Sequence, residues 1–251
     1  MKKLLVLLWV LLIPISYMAG NTYAWFSDSV TTNAVIASGN ISIEQTETDR
    51  NGAPFEQGQM IAPLIQGTNE NYIDKVVTIK NTGSNPAYVR TFFAVPAGGY
   101  GKWIHLDFNT TATGWEFASD PVGTDVTISG TVVYEIANNQ TLQRDYKGKY
   151  DIYVATYTKE LESGQSAPPS LKGFYIDSSV SNDDNGGYYY KDAGGTKVPI
   201  GDVSNVNVIV VTQAAQTISK DLANNVYDAK TSLDMTFKTA HPWVTETTPN
   251  P

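Results

Sequence analysis

From Val35 the chain alternates, with Val35, Ala37, Gly39, Ile41 and Ile43 on one side and Ser38, Asn40, Ser42 and Glu44 on the other. Successive side chains of a strand point to opposite faces, so a period of two marks a half-buried strand. The pattern recurs, and strands are expected near residues 60–65, 73–80, 87–95, 102–108, 126–136, 150–158, 171–176, 188–190 and 206–214. Turn-forming clusters separate them: Asn51-Gly52, residues 81–86 (NTGSNP), Gly98-Gly99, Ser163-Gly164, Asn185-Gly186-Gly187 and Gly194-Gly195. Many short strands with such punctuation read as an all-β antiparallel sandwich or barrel. The aromatic content of 11%, with 15 Tyr, suits the same class, because flat side chains pack well on a pleated surface. The absence of cysteine excludes a disulfide scaffold, a thiolate metal site and a cysteine nucleophile, so apolar packing has to carry the fold.

One segment breaks the rhythm. Ile218, Leu222, Val226, Ala229, Leu233 and Phe237 recur at helical spacing, which predicts a short C-terminal helical element, as one helix or two. Ser219 is the expected N-cap with Asp221 in the first turn, and Thr231 with Asp234 would restart a second piece. No internal repeat or charge block divides the remainder. Residues 34–251 are therefore expected to form one sandwich domain, with its excess length in loops 109–124 and 178–199.

The first residues read as an export signal. Lys2 and Lys3 precede ten apolar residues, Leu4 to Ile13, followed by helix-breaking Pro14 and then small or polar residues. Thr22 and Ala24 stand at the −3 and −1 positions of a cut before Trp25, which makes residues 1–24 a signal helix and places the rest outside the cell. An uncleaved anchor is the alternative, because no charged residue occurs between Lys3 and Asp28. The chain carries 17 Lys+Arg against 25 Asp+Glu, and removal of the signal takes two lysines and no acid. An acidic secreted protein of this kind is no electrostatic binder of nucleic acid or anionic lipid.

Few residues suggest catalysis. The two histidines, His105 and His241, cannot supply an H-E-x-x-H zinc motif, and no G-x-S-x-G elbow accompanies them. His105 lies within an apolar strand, where a packed, hydrogen-bonded ring is the expectation. Ser181, Asp183, Asn185 and Gly186 with Asp192 have the spacing of a degenerate calcium loop, but a hairpin turn is the simpler reading. No cofactor, metal or enzymatic activity is expected. Trp103 and Trp115, with Tyr100 and Tyr157, are candidate sugar-stacking residues, against the alternative that they fill the space between two sheets. Lysines near asparagines and acids leave open an intramolecular amide cross-link of the type found in some surface sandwiches, and chain order selects no pair.

Three stretches carry a family resemblance. AWFSDSVTTNAVIASGNISIE, residues 24–44, is similar to the start of the TasA and camelysin group of bacterial exported proteins, where an aromatic-Ser/Asn-Asp motif follows the cleavage site and leads into a strand of small residues and Gly. VVTIKNTGSNPAYVRTFFAV, residues 76–95, resembles the paired strands and intervening turn of that group, and SLDMTFKTAHPW, residues 232–243, looks like the end of its larger clostridial-type members. The resemblance implies a secreted jelly-roll subunit, exported by a dedicated signal peptidase, that forms extracellular matrix or biofilm fibres. It also implies head-to-tail donor-strand assembly, in which the N-terminal segment of one subunit, here Trp25 to Thr32, adds a strand to the next copy or to a related matrix subunit. The metalloprotease label attached to some members finds no ordinary zinc ligands here.

The residues support the same role in their own terms. Cleavage would leave Trp25 and Phe26 as the first two side chains of a free tail, with Val30 as a third apolar anchor beside Ser27 and Asp28. The alternative is that residues 25–33 form the edge strand of their own domain. A carbohydrate-binding or adhesin module at the bacterial surface is the rival function.

Overall fold

The computed structural model describes residues 27–31, 41–55, 62–97, 101–136, 140–182, 188–201, 208–217 and 227–243. The expected signal helix and its cut at Ala24 and Trp25 lie outside them. In chain order the strands are β1 (Ser27–Thr31), β2 (Ile43–Thr48), β3 (Ile73–Asn81), β4 (Ala87–Pro96), β5 (Ile104–Phe108), β6 (Trp115–Phe117), β7 (Gly123–Ile136), β8 (Gln140–Leu161), β9 (Leu171–Ile176), β10 (Val180–Asn182), β11 (Tyr188–Lys191), β12 (Lys197–Gly201) and β13 (Ile209–Gln216). One helix follows, α1 (Ala229–Phe237). Among the described residues no helix is long and apolar enough to cross a membrane.

The strands form three antiparallel sheets. The largest has the order β1-β13-β4-β8-β6, with β7 also pairing β8; a second runs β2-β3-β9-β5; β10-β11-β12 is a small third. The first two face each other. Ile43 of β2 with Val77 and Ile79 of β3 meets Val89 and Phe93 of β4, Ala155 and Tyr157 of β8, and Val210 and Ala214 of β13 in one apolar cluster. The sharp alternation of β3, buried at every second position from Ile73 to Ile79, follows from having one face in this layer and the other outward.

β4 is buried at all ten positions, because its second face is covered as well. Phe92 and Ala94 pack with Ile128, Ile152 and Val211, and Tyr88 packs with Ala215 beneath Ala229 and Leu233 of α1. The helix starts at Asp228, whose side chain accepts the Thr231 amide at 2.7 Å, and ends at Lys238, in the left-handed region with its amide on Asp234 O.

Several expectations change. Residues 62–65 form no strand, only an isolated bridge at Pro63, where the missing amide interrupts any ladder. Residues 101–103 are a 3-10 turn rather than the start of β5. The two expected long loops contain β6, β10 and the starts of β7 and β12. Asp228, not Thr231 with Asp234, begins the described helix, while Ser219 and Asp221 lie outside the described residues. The β7–β8 hairpin is far longer than its apolar pattern suggests: among the described strands, β8 pairs only with β7 from Gln140 to Gly148, and the ribbon runs past the sheet.

Candidate functional site

β1 closes one end of the larger sheet. It pairs antiparallel with β13 in continuous register, from Ser27 opposite Ala215 to Thr31 opposite Val211. Among the described residues it has a neighbour in the sheet order on one side only, so Ser27, Asp28 and Val30 lie on a terminal strand of the described sheet; Trp25 and Phe26 fall outside the described residues. β13, by contrast, is buried from Ile209 to Ala215 and pairs with β4 on its other side. Without β1, a buried apolar strand would present a row of unsatisfied backbone groups, which is the template that strand addition requires. The β1–β13 ladder is made by backbone groups, which every residue type supplies.

The two tryptophans pack in different apolar clusters, Trp115 in that between the two large sheets and Trp103 beside Ile104, Ile176 and Ile200. Trp115 is 8% exposed, its ring lies 5.2 Å from that of Tyr157, and its Nε1 donates to Pro168 O at 2.7 Å. β6 adds to the margin of β8, and alternation turns Trp115 inward between the sheets. Tyr157 is equally buried, and Tyr100 lies outside the described residues. Trp103 is half-buried against Tyr190, 4.8 Å away, with Lys102 Nζ 4.9 Å from each ring.

The outward face of the smaller sheet collects its charges and rings into local pairs. His105 Nε2 lies 3.0 Å from Asp177 Oδ2, with its ring 5.3 Å from that of Tyr175. Hydrogen bonds from the Ser179 hydroxyl and amide, then from His105, hold the Asp177 carboxyl below the usual range. Tyr72 donates to Asp107 at 2.9 Å, and burial followed by this partner pushes its phenol well above the ordinary value. Asp192 accepts the amides of Gly194 and Thr196 at 2.9 Å, which commits it to the β11–β12 hairpin. Asp183, Asn185 and Gly186 of the calcium-like run lie outside the described residues. Among the described residues no three His, Asp or Glu side chains gather to hold a metal ion.

A chain of buried polar groups crosses the core. Lys75 donates to Glu47 Oε2; Gln45 Nε2 donates to Glu47 Oε1 at 3.1 Å; the Thr212 hydroxyl donates to Gln45 Oε1 at 2.7 Å; Thr91 and Thr212 hydroxyls meet at 3.0 Å. It runs from β3 through β2 to β13 and β4, linking the two sheets. The sequence signal for it is one of phase: Gln45 and Glu47 share the inward phase of Ile43, and Lys75 that of Val77.

A second polar cluster fixes α1. Arg90, 5% exposed, donates to Gln213 Oε1 at 2.9 Å, to Asp234 Oδ1 at 2.7 Å and to Thr239 O at 3.3 Å. Burial lowers its ordinary pKa and Asp234 opposes that shift. No protein-family model, curated protein or solved structure matches this chain.

Proposed function

We propose that this protein is a secreted structural subunit of an extracellular bacterial fibre or biofilm matrix, a jelly-roll sandwich that assembles head to tail by donating its β1 segment. The observation that supports this reading most is the position of Ser27–Thr31: a short N-terminal strand at the sheet end, paired on one side with the buried β13. The resemblance of residues 24–44 to the TasA and camelysin group points the same way.

In the isolated chain β1 fills its own edge. Tethering gives it an effective concentration on the order of millimolar, so self-closure competes with assembly until subunits are concentrated. When β1 of one copy replaces that of the next, the contact is heterologous: the strand on one subunit meets the β13 edge on another. Such contacts repeat without closing and generate a filament. Cleavage after Ala24 would release Trp25 and Phe26 to join the exchange, coupling assembly to export. The reading involves no catalysis or cofactor; its partners are copies of the chain or a related matrix subunit, and the export peptidase.

The test compares the chain beginning at Trp25 with the chain beginning at Asn33, both concentrated and viewed by negative-stain electron microscopy. Fibres from the first and none from the second are expected. Monomers from both would refute self-assembly.

A further inference from the structure

We propose that Lys75 and Glu47 are joined by an isopeptide bond between Nζ and Cδ, a covalent staple between β2 and β3. Their side chains are 3% and 4% exposed and meet on the inward faces of neighbouring strands. The Phe55 ring lies 4.2 Å from Nζ and closes the pair from above. Gln45 Nε2 donates to the other carboxylate oxygen, Oε1, at 3.1 Å, and Gln45 is itself held by Thr212. The amine, the acyl carbon and a donor aimed at the acyl oxygen are therefore assembled in one dry site.

The surroundings favour condensation. Opposite charges withdrawn from water lose their hydration, and a neutral amide removes both charges. In the proposed step one proton passes from the Lys75 ammonium to Glu47 Oε2, which leaves a neutral amine facing a carboxylic acid. The amine lone pair attacks Cδ, and negative charge developing on Oε1 is received by the Gln45 Nε2 donor. Oε2 departs as water, taking a second proton from Nζ, while the third remains as the amide N–H. No oxidant, metal or external reagent enters the balance.

The staple would bridge residues 28 apart in a chain that has no cysteine, fixing β2 at the margin of the smaller sheet. It does not depend on the fibre reading.

Trypsin digestion of the denatured full chain, followed by mass spectrometry, tests it. The expected product is the peptide ending at Arg50 joined to residues 51–80, uncut after Lys75, and lighter than the two separate peptides by about 18 Da, one water. A free peptide of residues 51–75 at its sequence mass would overturn the proposal. A joined product lighter by about 17 Da, one ammonia, would also overturn it, because the acyl group would then come from an amide and not from Glu47. Lys75→Arg and Glu47→Ala should each yield only separate peptides. The wild-type digest decides the matter if either variant fails to fold.

Discussion

Asp234 offers one carboxylate to two cations in different surroundings, and their replacement should have unequal effects. Arg90 reaches Oδ1 from beneath the helix with a side chain 6% exposed; Lys230 reaches Oδ2 along the helix surface with a side chain 77% exposed. Replacing Arg90 by Met keeps length and apolar contact but removes a charge-assisted bond to Asp234, a contribution of about 1.5–3 kcal/mol. It also leaves the buried Gln213 Oε1 without the Arg90 donor, for about 1–3 kcal/mol more. Relief of the buried cation's desolvation offsets part of this sum, and the net expectation is about 2–3 kcal/mol. Lys230→Ala removes an exposed i,i+4 pair, for about 0.3–0.5 kcal/mol. With a urea dependence of about 2–3 kcal/mol per molar, Arg90→Met should lower the unfolding midpoint by about 1 M and Lys230→Ala by about 0.2 M. Raising the salt concentration should abolish the Lys230 effect and leave most of the Arg90 effect. Equal midpoint shifts, or a neutral Arg90→Met, would refute the assignment of Arg90 as the anchor of α1.

Gly173→Ala should destabilise by about 3 kcal/mol in the same assay, since a Cβ there would lie 2.2 Å from the Ile73 carbonyl oxygen, a backbone atom with little room to yield. Trp115→Ala should cost about 3–5 kcal/mol and visibly lower Tm, as expected of a core residue; a Tm unchanged within error would restore it to the surface. Asp228 is held below the usual carboxyl range by its capping bond with Thr231. Its folded pKa lies below the unfolded one, so its contribution is full above about pH 4 and fades as pH falls through the folded value. Asp228→Ala should therefore cost about 0.5–1 kcal/mol at neutral pH, and this difference should vanish in urea titrations carried out at acid pH.

The strand content was legible wherever one rule governed both ends of an element. β3 matches the expected segment because it alternates between a core face and an outer face and is bounded by turn residues; β9 matches in its bounds, although adjacent Gly173 and Phe174 are both buried and interrupt its alternation. Residues 62–65 form no strand although they are mostly apolar, because their pairing is limited to one bridge at Pro63, and Ile65 is exposed. β6 and β10 have three residues each, too few for a period to register. Trp115 was read as a loop aromatic for that reason: its burial depends on where β6 docks on β8, a contact across 42 residues of sequence. The Lys75–Glu47 pair was hidden in another way. Alternation placed both side chains inward, but charged residues at inward positions resemble breaks in a pattern until their partner strand is known. β1 illustrates the remaining limit. Its residues identify a strand, and a backbone ladder carries no side-chain signature of the edge it joins; β1 pairs with the chain's own β13.

Whether β1 joins its own edge or a neighbour's can be read directly, because the chain has no cysteine of its own. Ser27 and Ala215 are paired in register across β1 and β13. Two single variants, Ser27→Cys and Ala215→Cys, are mixed as monomers, concentrated to assembly conditions and oxidised, with the double variant run alongside at high dilution. Donor-strand exchange predicts disulfide-linked heterodimers between the two single variants in the assembled fraction, and an internal disulfide in the dilute double variant. Heterodimers absent from the concentrated mixture, with the internal bond formed in the double variant, would show that β1 stays in its own domain under assembly conditions and would contradict the account.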